Sequence, residues 1–170
     1  MNTPLTLRLR LAALALLAEA AHLGWEALHG GIVTHHLLQR ADLPGISNAW
    51  GLLVLPALGA WSAGRWRAWR DARWKVALGV LLPLVMGAAL SIAFRLQWQA
   101  GTEALFFSLL LAALVLPAHR PESLLGFVLG MSWTFGAVIP LVIGGLLALI
   151  SWLVRGVARW AWQFVGRASA

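Results

Sequence analysis

The chain has 170 residues, of which 61% are hydrophobic and 11% are charged, and its formal net charge is +7. A soluble domain carries about 25% charged residues, so this composition predicts an integral membrane protein. The chain contains no cysteine, which excludes disulfides, iron–sulfur clusters and thiolate metal sites. The basic residues flank apolar segments, where they set topology and meet lipid headgroups, so nucleic-acid binding is not expected. The length fits one transmembrane domain, residues 1–170.

The first predicted span covers residues 4–29. Pro4 suits the first position of a helix, and Gly30 supplies a stop signal after its last turn. A cleaved signal peptide is an alternative, because Arg8 and a second arginine precede a short apolar run. Apolar character continues to Leu28, and this favours a membrane span.

The rest of the chain predicts an all-α, polytopic helix bundle with six, or alternatively five, transmembrane helices. The remaining predicted spans are residues 46–64, 76–94, 102–117, 122–138 and 140–158. A break between Gly136 and Pro140 would give six passes and place every basic residue except Arg40 and Arg95 on one face. The positive-inside rule makes that face cytoplasmic, so we expect both termini inside. Five passes would instead require one long, kinked final helix.

Tryptophan is the second sign of a membrane environment. The chain contains eleven tryptophans and no tyrosine. Most of the tryptophans lie near the ends of predicted spans, as expected for an aromatic belt at a membrane interface. We therefore expect a multi-pass protein of a bacterial plasma or inner membrane, with lipid as its immediate partner.

Four chemically active residues share one face of the first predicted helix. Glu19, His22, Glu26 and His29 are separated by three, four and three positions, so they fall within an arc of roughly 80°. A charge near the centre of a bilayer costs about 2.5–3.5 kcal/mol on insertion scales. This face is therefore expected to point into the bundle and to have a function.

The loop after this helix adds two neighbouring histidines and suggests a metal site. The predicted ligands of a divalent Zn, Fe, Mn or Cu(II) ion are His22, Glu26, His29, His35 and His36. Such a site would suit a metal-dependent enzyme acting on a lipid or another membrane-embedded substrate. In that enzyme, Glu19 or Glu26 is the candidate catalytic proton acceptor.

Two other interpretations of the same residues remain open. The row from Glu19 to His29 could relay protons in a small proton-coupled transporter. It could also provide structural hydrogen bonds in an accessory subunit of a larger membrane complex. Haem is less favoured because no later predicted span contains a histidine, although a homo-oligomer could share one between copies.

Overall fold

The computed structural model describes residues 4–36, 40, 42, 44–68 and 73–168. The described chain is helical, as the composition predicts, with one short β-hairpin in addition. The elements are α1 Pro4–Leu28, β1 Thr34–His36, β2 Gly45–Ser47, a 3-10 turn Asn48–Trp50, α2 Gly51–Ala68, α3 Arg73–Arg95, α4 Gln99–Val115, α5 Pro121–Phe135 and α6 Val138–Ala168.

Three helices are long and apolar enough to cross a membrane. The apolar segments are Leu5–Leu28 in α1, Arg73–Arg95 in α3 and Val138–Gln163 in α6, whereas α4 is a shorter apolar helix. Large apolar side chains are exposed on their outer surfaces, including Leu14 at 63% and Leu146 at 58%. An apolar exterior of this kind suits contact with lipid rather than with water.

The central helix of the bundle is α5, which packs against α2, α3 and α6. Glycines allow its backbone to approach α3 closely. A methyl group at Gly126 would overlap the carbonyl oxygen of Val80, and one at Gly130 would overlap the carbonyl oxygen of Leu84. Small residues allow this kind of helix contact inside membranes, where van der Waals packing replaces the hydrophobic effect as the main attraction.

A group of buried apolar side chains joins α1, α2 and α5, and we call it the apolar layer. Its members are Ala15, Leu55, Leu58, Leu124, Leu125, Val128 and Ala137. Leu55 and Val128 are completely buried. These side chains form the apolar interior between the three helices.

The connection between α1 and α2 forms a structure that the apolar pattern did not predict. Gly30 and Gly31 adopt positive φ angles of 124° and 99°, and β1 then pairs antiparallel with β2. The end of the bundle that carries this pair is called the hairpin end below. Residues 45–50 form the second strand and the 3-10 turn, so α2 begins at Gly51 rather than at Ile46.

The final apolar stretch is divided between two helices. Helix α5 ends at Phe135, Gly136 adopts a φ of 66°, and α6 begins at Val138. This break lies inside the predicted region, Gly136 to Pro140, and it divides the apolar stretch into two helices.

Glycine packing between α3 and α5 gives the first prediction. We expect Gly126→Ala to lower the free energy of unfolding by about 1–3 kcal/mol, because the added methyl overlaps a backbone carbonyl. Gly145→Ala is the matched control, since nothing lies within 4 Å of its added methyl. That change should be neutral or stabilising by up to about 1 kcal/mol. Thermal unfolding in detergent measures both, and equal stability of the two variants would contradict the packing argument.

Candidate functional site

Three ionisable side chains of α1 are buried together near the hairpin end. Glu19, His22 and Glu26 expose only 1%, 6% and 5% of their surface. Their spacing of three and four residues places them along one side of the helix, as the sequence predicts. We call these three residues the Glu–His–Glu row.

His22 lies between the two carboxylates, and each ring nitrogen faces one of them. Its Nδ1 is 3.4 Å from Oε2 of Glu19, and its Nε2 is 3.2 Å from Oε1 of Glu26. The second pair lies within ion-pair distance but outside hydrogen-bond geometry. The imidazole stacks on Trp133 of α5, with the ring centroids 4.7 Å apart. The indole therefore fixes the plane of the histidine.

Glu26 connects α1 to the hairpin and to the start of α2. Its Oε1 accepts a hydrogen bond of 2.6 Å from Nδ2 of Asn48, and its Oε2 accepts one of 3.1 Å from the backbone N–H of Val33. The backbone N–H of Asn48 donates in turn to the carbonyl of Val33 over 2.9 Å. Hydrogen bonds to a charged group are stronger than neutral ones, so these contacts hold the loop against α1.

Two glycines make room for the polar side chains. A methyl group at Gly51 would overlap the Oε1 atom of Glu19, and one at Gly136 would overlap Oδ1 of Asn48. Gly136 also has a φ of 66°, which side-chain-bearing residues rarely adopt. The start of α2 thus leaves room for Glu19 of the row, and the break between α5 and α6 leaves room for Asn48.

Three buried polar atoms of this site have no hydrogen-bond partner among the described residues. They are Oε1 of Glu19, Nε2 of His22 and Oδ1 of Asn48. Buried polar atoms are normally satisfied, so an unsatisfied group calls for an explanation such as a bound ion, water or a functional role. On the side away from the hairpin, Ala15 and Leu55 of the apolar layer follow directly. The row is therefore closed at that side by apolar side chains.

A pocket at the hairpin end reaches Glu26. Its volume is about 360 Å³, and its walls include Trp25, Glu26, Arg95, Trp133 and Thr134. The two indoles are 4.9 Å apart between centroids. Arg95 is exposed and forms no ion pair with the residues that the structure describes. The pocket thus combines flat apolar walls with one cation and the carboxylate of the row.

The structure unites only part of the predicted metal-ligand set. His22 and Glu26 are adjacent, whereas His29 is exposed, donates from Nδ1 to the carbonyl of Trp25 over 2.8 Å and stacks on that indole. No group of three or more His, Cys, Asp or Glu residues suited to a metal ion occurs in the described ranges. The five-ligand metal site consequently stays a prediction.

His35 and His36 point to opposite sides of β1. His35 is half-buried, and burial lowers its pKa while the nearby Glu26 carboxylate opposes that effect. His36 is exposed and lies beside Gly45 of the partner strand. Side chains alternate across a strand, so the two neighbouring rings cannot face the row together.

Asn48 and Trp133 belong to the site but are not among the predicted metal ligands or proton acceptors. Asn48 is 2% exposed, and its amide reaches a carboxylate that lies 22 positions earlier in the chain. A single amide at the start of an apolar segment was the only available signal. Trp133 gave no signal, because it lies within a predicted apolar span, where an indole looks like any other packing residue.

The Asn48–Glu26 hydrogen bond gives the second prediction. We expect Asn48→Ala to lower the free energy of unfolding by about 1.5–3 kcal/mol, because it leaves a buried carboxylate without its amide donor. The matched control is Gln99→Ala, which removes an exposed amide–carboxylate bond of 3.0 Å to Glu103. The control should cost less than about 0.5 kcal/mol. Chemical unfolding of both variants in detergent measures the two losses of stability. Similar losses would show that burial of the Asn48 hydrogen bond adds nothing to its contribution.

No family model, no curated protein and no solved structure matches the chain.

Proposed function

We propose that the chain is a six-pass membrane protein whose Glu–His–Glu row binds protons from the hairpin side, as the coupling site of a small proton-coupled carrier. The observation that carries this proposal is the position of His22. Both of its ring nitrogens face buried carboxylates, at 3.4 Å and 3.2 Å. Ionisable residues inside membrane bundles are rare and mark proton relays and substrate pathways.

The row supplies a short path for a proton from the pocket to a buried acceptor. Glu26 lines the pocket, and Glu19 lies seven residues away on the same helix, which is roughly 10 Å along its axis. An imidazole can accept a proton at Nε2 and release one from Nδ1. A proton entering beside Glu26 is thereby handed to Glu19, with His22 restored to its starting charge.

Glu19 and Glu26 have different roles in this proposal. Both oxygens of Glu26 already accept hydrogen bonds, one from Asn48 and one from the backbone of Val33. One oxygen of Glu19, by contrast, has no hydrogen-bond donor among the described residues. Glu19 is therefore the better terminal proton acceptor, and Glu26 positions the histidine.

The apolar layer favours a carrier over an open channel. Beyond Glu19, the side chains of Ala15, Leu55 and Leu58 pack together and offer no polar group. A proton cannot cross such a layer without a conformational change, because a charge in an apolar interior is costly. Coupling that change to a solute is what defines a carrier.

The pocket suits an organic anion as the coupled solute. Arg95 supplies a positive charge, and Trp25 and Trp133 supply flat apolar surfaces. A volume of about 360 Å³ lies within the range of small-molecule sites, roughly 300–1,000 Å³. An anion with an apolar part would contact all three residues.

The third prediction concerns the side of the membrane on which each end of the bundle lies. Because the chain contains no cysteine, single introduced cysteines can be labelled to test it. With six passes, the hairpin end faces outward and both termini lie in the cytoplasm, where most basic residues then lie. A membrane-impermeant thiol reagent should label Thr34→Cys in intact cells, but label Gln163→Cys only after permeabilisation. The wild-type chain is the unlabelled control, since it contains no cysteine. Labelling of both variants in intact cells would exclude an even number of passes.

Proton binding by Glu19 is the fourth prediction. Infrared difference spectra recorded while the pH is lowered should contain the C=O band of a protonated carboxyl shielded from water. Glu19→Gln should abolish this band, and Glu103→Gln, which alters an exposed carboxylate on α4, should retain it. Persistence of the band in Glu19→Gln would contradict the proposal. In proteoliposomes, collapse of a pH gradient without any solute would instead identify a channel.

A metal-dependent membrane enzyme is the second candidate, and one distance favours it. His22 Nε2 and Glu26 Oε1 are 3.2 Å apart without hydrogen-bond geometry. Two ligands bound tetrahedrally at about 2.0–2.1 Å would lie roughly 3.3 Å apart. Elemental analysis of protein purified without a metal-affinity tag, beside His22→Ala, separates the candidates. Near-stoichiometric metal that is lost in the variant would favour the enzyme over the proton site.

A further inference from the structure

A second cavity lies at the end of the bundle opposite the hairpin. It has a volume of about 220 Å³ and lies between α3, α4, α5 and α6. Its deeper walls are apolar and include Pro83, Met86, Leu109 and Phe127. The mouth carries charged side chains, so the cavity is apolar inside and polar at one end.

The cavity is continuous with the lipid-facing surface of the bundle. Leu78, Leu82 and Leu116 line it, and they expose 53%, 47% and 40% of their surface. A ligand with an apolar chain can therefore enter sideways from a bilayer. The volume is smaller than that of a typical drug-sized pocket, roughly 300–1,000 Å³, and suits a single chain.

Positive charge dominates the mouth. Lys75 and Arg120 line it directly, together with Glu122. Glu122 exposes only 2% of its surface, and its Oε1 is 3.3 Å from Nε of Arg65. Three cations thus accompany one carboxylate, so the mouth carries a net positive charge.

The pKa of His119, in the turn between α4 and α5, is affected by positive charges at the same end of the bundle. Its pKa is lowered first by burial and then by the charges of Arg155, Arg120, Arg159 and Arg65. Four guanidinium groups therefore lie close enough to the His119 ring, beside the cavity, to oppose its protonation. An anion at the mouth would reduce their mutual repulsion.

The turn that carries these charges is held in place from α6. The Ser151 hydroxyl is completely buried, donates to the carbonyl of Leu116 over 2.9 Å and accepts from the N–H of Ala118 over 3.1 Å. Arg155 donates to the carbonyl of Val115. The mouth is consequently a fixed part of the fold.

We propose that this cavity binds one acyl chain of an anionic membrane lipid, with the headgroup phosphate at Lys75 and Arg120. Arginine binds phosphate through two parallel hydrogen bonds, and lysine contributes a point charge. Basic pockets between membrane helices on the cytoplasmic side are suited to anionic headgroups. This inference requires only that the bundle lies in a membrane, and it does not depend on the Glu–His–Glu row.

The fifth prediction concerns the acyl-chain site. The lipid bound to the protein is exchanged for phosphatidylglycerol or phosphatidylcholine, and native mass spectrometry then measures which lipid is retained. The wild-type protein should retain phosphatidylglycerol and release phosphatidylcholine. Ala112→Leu fills the cavity from α4 and should abolish retention. Ala104→Leu adds the same side chain to an exposed position of α4 and should leave retention unchanged.

A second pair of variants tests the headgroup contacts and leaves the apolar walls of the cavity unchanged. Lys75→Gln with Arg120→Gln should weaken phosphatidylglycerol retention at least tenfold, because each basic residue near an anionic headgroup contributes about fivefold. Arg8→Gln with Arg10→Gln removes two exposed charges from α1 and should have no such effect. Equal retention of the two lipids by the wild-type protein would overturn the proposal. Unchanged retention in Ala112→Leu or in the Lys75 and Arg120 variant would do so as well.

Discussion

The carboxylate of Glu26 is the group on which the hairpin end of the bundle depends. A buried carboxylate must be satisfied, and Glu26 takes its donors from Asn48 and from the backbone of Val33. Those two donors fix the hairpin and the 3-10 turn against α1, and the turn leads directly into Gly51, where α2 begins. At Gly51, the absence of a side chain leaves room for Glu19. The position of one carboxylate on α1 is therefore linked to where the next helix starts and to how the second carboxylate is accommodated.

Glycine serves two different purposes in this fold. Gly126 and Gly130 bring the backbones of α5 and α3 together, and this contact concerns packing alone. Gly51 and Gly136 instead make room for Glu19 and Asn48, which are polar. The first use holds the central helix in the bundle, and the second permits ionisable groups inside it. Polar groups lie at both ends of the bundle, and we propose a different role for each: proton binding at the hairpin end and lipid phosphate binding at the other.

The sequence predicts the helical elements well because each is a long apolar run bounded by glycine, proline or charge. The shared face of Glu19, His22 and Glu26 also follows from helical periodicity. Loop geometry does not follow from it. The apolar run from Ile46 resembles the start of a helix, but residues 45–47 form a strand instead. This strand pairs with β1, which follows two glycines at positive φ. That strand also explains why His35 and His36 do not face the row together, since adjacent residues of a strand point to opposite sides.

If the row binds protons as we propose, charge counting predicts that this binding depends on whether an anion occupies the neighbouring pocket. With both carboxylates ionised and His22 neutral, the three side chains carry two negative charges while exposing at most 6% of their surface. One proton on His22 halves that charge, and a second on Glu19 removes it. Arg95 is the cation that the pocket presents near Glu26, and an anion bound there would occupy it. Additional negative charge beside the row raises the cost of an ionised Glu19, because like charges repel strongly where water is scarce. An anion in the pocket therefore favours a proton on the row, and by thermodynamic reciprocity a proton on the row favours the anion. This mutual dependence is the property that a carrier requires in order to move the two together.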